Sequence, residues 1–497
     1  MDRAGQSNTE AVNAKKHSPY VNTNKKDTTN QSAHVNTQTV NTTNQSSHVN
    51  TQTVNTTSLS AHVNTHTVNT TSLSAHVNTH TVNEINQTVI VSNQAPTAKQ
   101  TFLGSKGLIF FVAFMNMFIP LSTDMYLPAL PNMSTYFACS SSIINLTLSL
   151  FFLFYSVGIL FWGPLSDKYG RKPILLIGSI AYMICSIVCA LSINVYMLII
   201  ARIFQGLAAG GITSVSIAII KDTFSNKKRE SVLAICQSIS GLAPMIAPLI
   251  GGVILRFTTW RGAFWALAII SIINLIITFL FQETLKEEDR YAGTLLGSLG
   301  RLLVISRNKS FIIPAVIFAL NSLPFLGYIA ISSYIYVDYF GLSAQVYTYF
   351  FAFNALVSIS GPFIYVKVFR NMNKKVFATM ILGVSTISGI LVITIGTLAP
   401  ILFWISFVFM SLCGTVIRPF STNLLLEQQK GDTGSASSLI NTLSMVMGSI
   451  GMAVASLPWG NAVIALGAII SVCSLTSLVS WNLFLKSKLP CIGVKDI

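Results

Sequence analysis

The sequence GPLSDKYGRKP, from Gly163 to Pro173, separates two long apolar runs and has a counterpart later in the chain. The counterpart, GPFIYVKVFRNMNKK, extends from Gly361 to Lys375 and also separates two apolar runs. Both stretches begin with Gly-Pro and end in clustered positive charge. An arginine inside an apolar run likewise occurs twice, as Arg202 and as Arg418. The repetition predicts a protein built from two similar halves.

The composition places the apolar runs in a membrane. The 497-residue chain is 52% hydrophobic and only 9% charged, with a mean hydropathy of +0.61. A soluble domain could not bury so much apolar surface. We predict about twelve spanning helices, because each run is long enough to cross a ~30 Å hydrocarbon core. The predicted spans are 107–129, 142–163, 174–193, 196–219, 232–255, 262–281, 311–336, 346–369, 376–397, 400–425, 434–457 and 460–484.

The predicted fold class is therefore an all-α membrane protein with two six-helix pseudo-repeats. Lys and Arg concentrate in alternate connections, so the positive-inside rule places both termini in the cytoplasm. Basic loops next to anionic lipid explain much of the +15 formal charge, and no nucleic-acid partner is expected.

The predicted domains are a tail (1–100), a first six-helix bundle (101–281), a central cytoplasmic loop (282–310), a second bundle (311–485) and a cytoplasmic C-terminal tail (486–497).

The N-terminal tail differs in composition from the rest of the chain. It is rich in Asn, Thr and Ser, and segments such as HVNTQTVNTTSLSA recur with a period of about 14 residues. Such a segment cannot bury enough apolar surface to fold alone, so we predict disorder. All seven histidines lie in this tail, and the pairs His62/His66 and His76/His80 leave metal binding open as an alternative. A regular β-solenoid or a role in self-association is another.

Asp124 is the acid that lies well inside a predicted span, in the stretch LSTDMYLPALP. A carboxylate there costs several kcal/mol unless it is paired, hydrated or protonated. The predicted bundles contain no histidine, so proton handling would fall to carboxylates. We predict that proton and substrate compete for Asp124. The structural alternative is a carboxylate that bonds backbone groups freed where Pro120 or Pro128 interrupts the helix.

The two arginines inside spans are the other candidates. An intramembrane arginine must face a cavity or a partner. Arg202 could adjust the proton affinity of a nearby acid, or it could order the fourth helix against the first through Gln205. Arg418 could line a cavity, with lipid snorkelling or a structural hydrogen bond as rivals. Tyr126, Phe154 and Tyr155 are further possible cavity residues. The seven cysteines show no metal-ligand grouping, and no metal site is predicted.

Several motifs resemble one transporter family. GPLSDKYGRKP is similar to the cytoplasmic loop signature of the major facilitator superfamily, and RIFQGLAAGG, Arg202 to Gly211, to its Arg-x-x-Gln-Gly motif in the fourth helix. GLAPMIAPLIGG, Gly241 to Gly252, resembles the fifth-helix motif of antiporters. STDMYLPALP and GDTGSASSLINTL resemble segments of the Bcr/CflA drug-resistance transporters. The resemblance extends from about residue 105 to the C-terminus and therefore covers both predicted bundles.

The resemblance implies roles for two motifs. In the loop signature, Gly163, Asp167, Gly170, Arg171 and Lys172 would form a charge cluster that holds the halves together on the cytoplasmic side, which we call the latch. Both glycines would allow close approach and positive φ in a tight turn, and Asp167 would cap a helix or pair with Arg171. In the antiporter motif, a helix that can bend and pack closely is expected from its small residues and prolines. These are Gly241, Pro244, Pro248, Gly251 and Gly252.

The sequence thus predicts a proton-coupled exporter of small amphipathic molecules, with no enzymatic activity and no cofactor. A Walker motif is absent from the sequence, so ATP is not its expected energy source. The expected partners are the substrate, protons and lipid, and the expected state is a monomer in a bacterial inner membrane. Two alternatives stay open. One is an exporter of an endogenous metabolite such as an amino acid or siderophore, and the other is a non-transporting sensor or scaffold.

Overall fold

The computed structural model describes residues 102–224, 226–290, 295–429 and 433–494, and these residues are almost entirely α-helical. The repeat tail lies outside the described residues, as do its histidines and the alternatives raised for it. Twelve helical segments, named α1 to α12, follow the predicted spans. In chain order they are Gly104–Tyr136, Ser141–Tyr169, Arg171–Ala190, Val195–Thr223, Asn226–Phe257, Arg261–Leu280, Lys309–Tyr339, Ala344–Phe369, Lys374–Thr394, Pro400–Glu427, Thr433–Ala455 and Ala462–Lys486.

Among the described residues, eleven helices are long and apolar enough to cross a membrane. In α5, the residues from 242 onward that the structure describes form an apolar segment, Leu242–Phe257. The prediction of an all-α membrane fold is confirmed.

Three details differ from the predicted boundaries. The helix α2 continues to Tyr169, because Pro164 and the charged residues after it are accommodated in additional helical turns. The segment 282–310, predicted as a loop, contains a helix, Leu295–Ser306. The helix α7 continues past the predicted end at residue 336 to Tyr339, so its last, π-helical turn includes the exposed Asp338.

We call α1 to α6 the N-terminal half and α7 to α12 the C-terminal half. Within the N-terminal half, α4 packs against α2 and α3, and α3 packs against α6. The C-terminal half repeats part of this pattern, since α9 packs against α10 and α12. Helices α2 and α4 approach each other closely, since a Cβ on Gly210 would come within 2.6 Å of the Tyr155 carbonyl oxygen. Such small residues allow helix backbones to meet closely in a membrane.

The halves meet along α2 with α11 and along α5 with α8. We call the end of the bundle that carries Gly170 the basic end, and the opposite end the far end. In the described part of the chain, three side-chain hydrogen bonds join the halves, and all three lie toward the far end. They are Ser134 Oγ with Tyr334 Oη at 3.1 Å, Ser142 Oγ with the Ser456 carbonyl, and Ser449 Oγ with the Ser149 carbonyl. The halves are thus sealed against each other at the far end.

Candidate functional site

Asp124 is the last residue of a short helical segment of α1, Phe118–Asp124, and it is only 3% exposed. Its Oδ1 accepts a hydrogen bond of 2.8 Å from Thr123 Oγ1. Within the described ranges, Asp124 forms no ion pair and accepts no backbone hydrogen bond. The alternative in which backbone groups freed by proline bind this carboxylate therefore finds no support. A buried carboxyl with a single hydroxyl partner is free to exchange a proton if water or substrate reaches it.

The surroundings of Asp124 bring both halves together. A Cβ on Gly251 of α5 would overlap with the carbonyl oxygen of Met125, the residue after Asp124. A Cβ on the adjacent Gly252 would lie 3.1 Å from Thr348 Cγ2 in α8. The two glycines thus allow α5 to fit between α1 and the opposite half. Tyr347, the neighbour of Thr348 in α8, is fully buried. Movement of the halves would therefore change the environment of Asp124.

Arg202 lies in the interior of the N-terminal half and is fully buried. Its Nη1 donates to Gln205 Oε1 at 2.6 Å, and its Nε donates to the Thr147 carbonyl at 3.2 Å. The guanidinium also lies over the rings of Phe151 and Tyr126, at 4.1 and 5.0 Å from the ring centroids. These contacts tie α4 to α1 and α2 and solvate the charge without a carboxylate. In the described part of the chain, Arg202 pairs with no acid.

Gln205 extends the network to α3. Its Nε2 donates to Ser186 Oγ at 2.7 Å while its Oε1 accepts from Arg202. The sequence suggested that Gln205 would connect α4 with the first helix. The side chain instead connects α4 with α3, and the rings beside Arg202 supply the contact with α1.

The four predicted cavity residues have different surroundings. Tyr126 is fully buried against Phe264, with its hydroxyl 3.0 Å from Thr147 Oγ1, so it lines no open space here. Tyr155 is buried and Phe154 is half-buried. Arg418 is exposed, although it lies within a spanning helix.

Arg171 centres a charge cluster at the basic end and is almost fully buried. Its Nη1 lies 2.5 Å from Asp167 Oδ1, and its Nε lies 2.8 Å from Asp222 Oδ2. Asp167 itself is 54% exposed. The predicted pairing of Asp167 with Arg171 is therefore present. A planar guanidinium suits this geometry because it presents several donors in a fixed fork.

Glu283, just after α6, caps the first turn of α3. Its Oε1 and Oε2 accept from the backbone nitrogens of Arg171 and Lys172, each at 3.0 Å. These nitrogens are among the unpaired donors of a helix N-terminus, where a carboxylate is also favoured by the helix dipole. Gly170 has φ +99°, and a Cβ there would meet Glu283 Oε2 at 2.5 Å. Glycine is thus required at this position.

Gly163 does not have the predicted role. It is part of the continuous helix α2, and a Cβ added to it would meet no atom within 4 Å. The turn that needs positive φ is formed at Gly170 alone, because α2 continues through Pro164 to Tyr169. Gly241, Pro244 and Pro248 lie within the continuous helix α5.

The sequence-based prediction missed Asp222 and Glu283. Both acids lie at helix ends near the basic loop, where acids are common and carry little signal. Among the described residues, the hydrogen-bonding partners of Asp167 and Arg171 lie in α2, α4 and the segment just after α6. A latch between the two halves therefore stays a prediction.

Comparison with known proteins gives a consistent result. Residues 109–452 match the sequence model described as Major Facilitator Superfamily. The chain is 31% identical over 365 residues to an uncharacterized MFS-type transporter, YdgK of Bacillus subtilis (strain 168), covering 71% of this chain and 89% of that protein. It is 32% identical over 166 residues to the multidrug resistance protein MdtL of Shigella flexneri serotype 5b (strain 8401). That match covers 33% of this chain and 42% of MdtL, so it spans less than half of that protein.

Solved structures agree at the level of the fold. The crystal structure of a D-xylose-proton symporter aligns with a TM-score of 0.60 at 16% identity, over 78% of this chain and 99% of the symporter. The human organic anion transporter MFSD10 (TETRAN) aligns with a TM-score of 0.55 at 18% identity, over 75% of this chain and 98% of that protein.

Proposed function

This chain belongs to the major facilitator superfamily, and from that premise we propose that it is a proton-coupled exporter of small amphipathic molecules. The observation that carries the proposal is the state of Asp124, a buried carboxyl without an ion-pair partner at the junction of the halves. Such a group is costly to keep in a membrane protein and is a functional candidate by default.

The mechanism follows from competition for one carboxyl group. A proton entering from the outside neutralises Asp124, and a substrate entering from the cytoplasm displaces that proton. Each exchange is linked to rocking of the halves about the site. The inward proton gradient would thus drive the substrate outward, with no covalent chemistry and no ATP within this chain.

The proposal also assigns orientation. Loops rich in Lys and Arg lie at the basic end, which we take as cytoplasmic, with both termini on that side. The hydrogen bonds at the far end would then close the protein toward the outside, and we assign this structure to a cytoplasm-facing state on that basis. We propose that the protein acts as a monomer in a bacterial inner membrane.

The name of MdtL supports drugs as the substrate class, although that match is partial. An exporter of an endogenous metabolite such as an amino acid or siderophore is the competing transport function. A sensor or scaffold is disfavoured because it has no need of Arg202 and Asp124 in its interior, given what buried charge costs.

The test uses an efflux-deficient bacterial host with and without the full chain. Its susceptibility to a panel of toxic amphipathic compounds is measured, with equal membrane abundance confirmed by immunoblot. We expect protection against some compounds, and an uncoupler that collapses the proton gradient should remove it. Protection only against toxic amino-acid analogues would favour the metabolite exporter. No protection and no proton-dependent efflux would contradict the proposed function.

A further inference from the structure

We propose that Arg418 forms an anion-binding subsite in the space between the halves, and that the exported molecules carry a carboxylate, sulfonate or similar anionic group there. This inference rests on the proposed function and narrows its substrate class. The subsite acts in addition to the exchange at Asp124, because the positive charge of Arg418 would hold a different group of the same molecule.

The first step is the position of Arg418 in α10. The helix ends at Glu427 at the basic end, so Arg418 lies about 14 Å inside that end at ~1.5 Å rise per residue. The neighbouring Ile417 and Phe420 are buried in the C-terminal half, whereas Arg418 is exposed. The guanidinium therefore points away from the core of its own half.

The second step is the direction in which Arg418 is exposed. It lies within electrostatic range of Tyr155, which belongs to α2 in the opposite half. A side chain that snorkelled along the lipid face would move away from the other half and toward the headgroups. Its proximity to Tyr155 instead places Arg418 in the space between the halves.

The third step is the open space beside it. Gly414 lies one helical turn before Arg418, and residues four apart share one face of a helix. A Cβ added to Gly414 would meet no atom within 4 Å. The same face of α10 thus presents a guanidinium next to unfilled volume, as a ligand site requires.

The fourth step is charge. Among the described residues, the side chain of Arg418 forms no ion pair, and the pair found in the C-terminal half is Lys374 with Glu427 at the basic end. Asp124 is buried on α1 and forms no ion pair with Arg418. An uncompensated guanidinium between low-dielectric walls attracts an anion, and its planar fork binds a carboxylate or sulfonate in bidentate fashion.

The first experiment does not depend on knowing the substrate. The full-length Gly414→Cys variant is labelled in membranes by an anionic and a cationic methanethiosulfonate, bearing sulfonatoethyl and trimethylammonioethyl groups. Rates are corrected for labelling of the seven native cysteines and normalised to the neutral methyl reagent. We expect Arg418→Gln to lower the anionic-to-cationic rate ratio about fivefold, and Arg418→Lys to preserve it within about twofold. An unchanged ratio in the Gln variant, or no labelling of Cys at 414, overturns the subsite.

The second experiment tests recognition with a matched pair of probes. The amphipathic sulfonate 8-anilinonaphthalene-1-sulfonate and its neutral analogue N-phenyl-1-naphthylamine differ only in the sulfonate group. Binding of each to the purified protein in nanodiscs is measured against empty nanodiscs. We expect Arg418→Gln to weaken saturable binding of the sulfonate at least about fivefold, with binding of the neutral probe unchanged. Equal effects on both probes, or no saturable sulfonate binding, contradict the proposal.

Failure of the two proposals can be told apart. In one outcome, efflux depends on the proton gradient while Arg418→Gln changes neither the anionic-to-cationic labelling ratio nor sulfonate binding. That result would support the exporter function and refute the anion subsite. If the subsite behaves as expected but no compound is exported, the subsite belongs to a protein with another function.

Discussion

The interior charges of the two halves are held in opposite ways. In the N-terminal half, Arg202 is fully buried and solvated by Gln205, a backbone carbonyl and two aromatic rings. In the C-terminal half, Arg418 is exposed and pairs with no acid in the described part of the chain. Because both halves follow one helical repeat, the difference indicates divided roles. The N-terminal half keeps a fixed polar network around its charges, and the C-terminal half leaves a charge available.

The basic end shows the same contrast. The Arg171 side chain is 5% exposed and contacts two carboxylates, whereas Lys374, at the start of α9, is 38% exposed and contacts one, Glu427. Each half also covers its helix ends with the segment that follows its last helix. Glu283 caps α3, and the backbone of Ile492 exchanges hydrogen bonds of 2.9 and 3.1 Å with Gln428 at the end of α10. Both halves thus cover a helix end in the same way, but in the N-terminal half the contact is more buried and its residues carry more charge.

The largest expected effect is at Asp124. Asp124→Asn keeps the size of the side chain but removes the exchangeable proton, so we expect proton-driven efflux to fall at least about tenfold. Asp338→Asn, in the exposed last turn of α7, is the matched control and should stay within about twofold of wild type. Efflux is measured in cells with equal membrane abundance of each variant. Wild-type efflux by the Asp124 variant would make the carboxyl structural.

Next in size is the loss expected at Arg202. Arg202→Lys keeps the charge but not the planar fork that bonds Gln205 and stacks on Phe151, so transport should fall about five- to tenfold. The melting temperature of the purified protein should fall as well. Arg261→Lys changes an arginine that also stacks on rings, at the far end, and should alter transport less than about twofold. Equal losses in both variants would refute a special role for the buried network.

How much of this could be predicted from the sequence depends on the kind of signal. The two halves, the spanning helices and the interior charges Asp124 and Arg202 were predictable, because a charge in an apolar run is conspicuous. Glu283 was not, because an acid just after a helix is ordinary and only the fold brings it to α3. Tyr126 faces into its own half rather than an open cavity. The interruption of α1 at Met117 was also not predictable, because no periodicity in the sequence indicates it.

A smaller, more selective effect is expected at the basic end. Asp167→Asn removes one partner of Arg171, so turnover should fall about three- to fivefold while substrate affinity stays within about twofold. Glu427→Gln, the C-terminal counterpart, breaks an exposed pair and should change neither quantity by more than about twofold. Rates and affinities are measured in proteoliposomes. A loss of affinity alone at Asp167 would remove its assignment to conformational balance.

The smallest effect is expected from deletion of residues 1–98. The segment is rich in Asn, Thr and Ser and poor in large hydrophobic residues, so transport and insertion should stay within about twofold of the full chain. Transport is compared at equal membrane abundance in the efflux-deficient host. A clear loss of transport would assign the repeats a part in the function.

The central claim, that one buried carboxyl exchanges a proton for substrate, is tested most directly by proton release on binding. Purified protein in weakly buffered detergent solution receives a substrate identified by the susceptibility panel, and a pH indicator reports released protons. The wild type should release protons in a saturable, substrate-dependent way, and Asp124→Asn should release none while remaining folded. Release by the Asn variant equal to that of the wild type would contradict the claim.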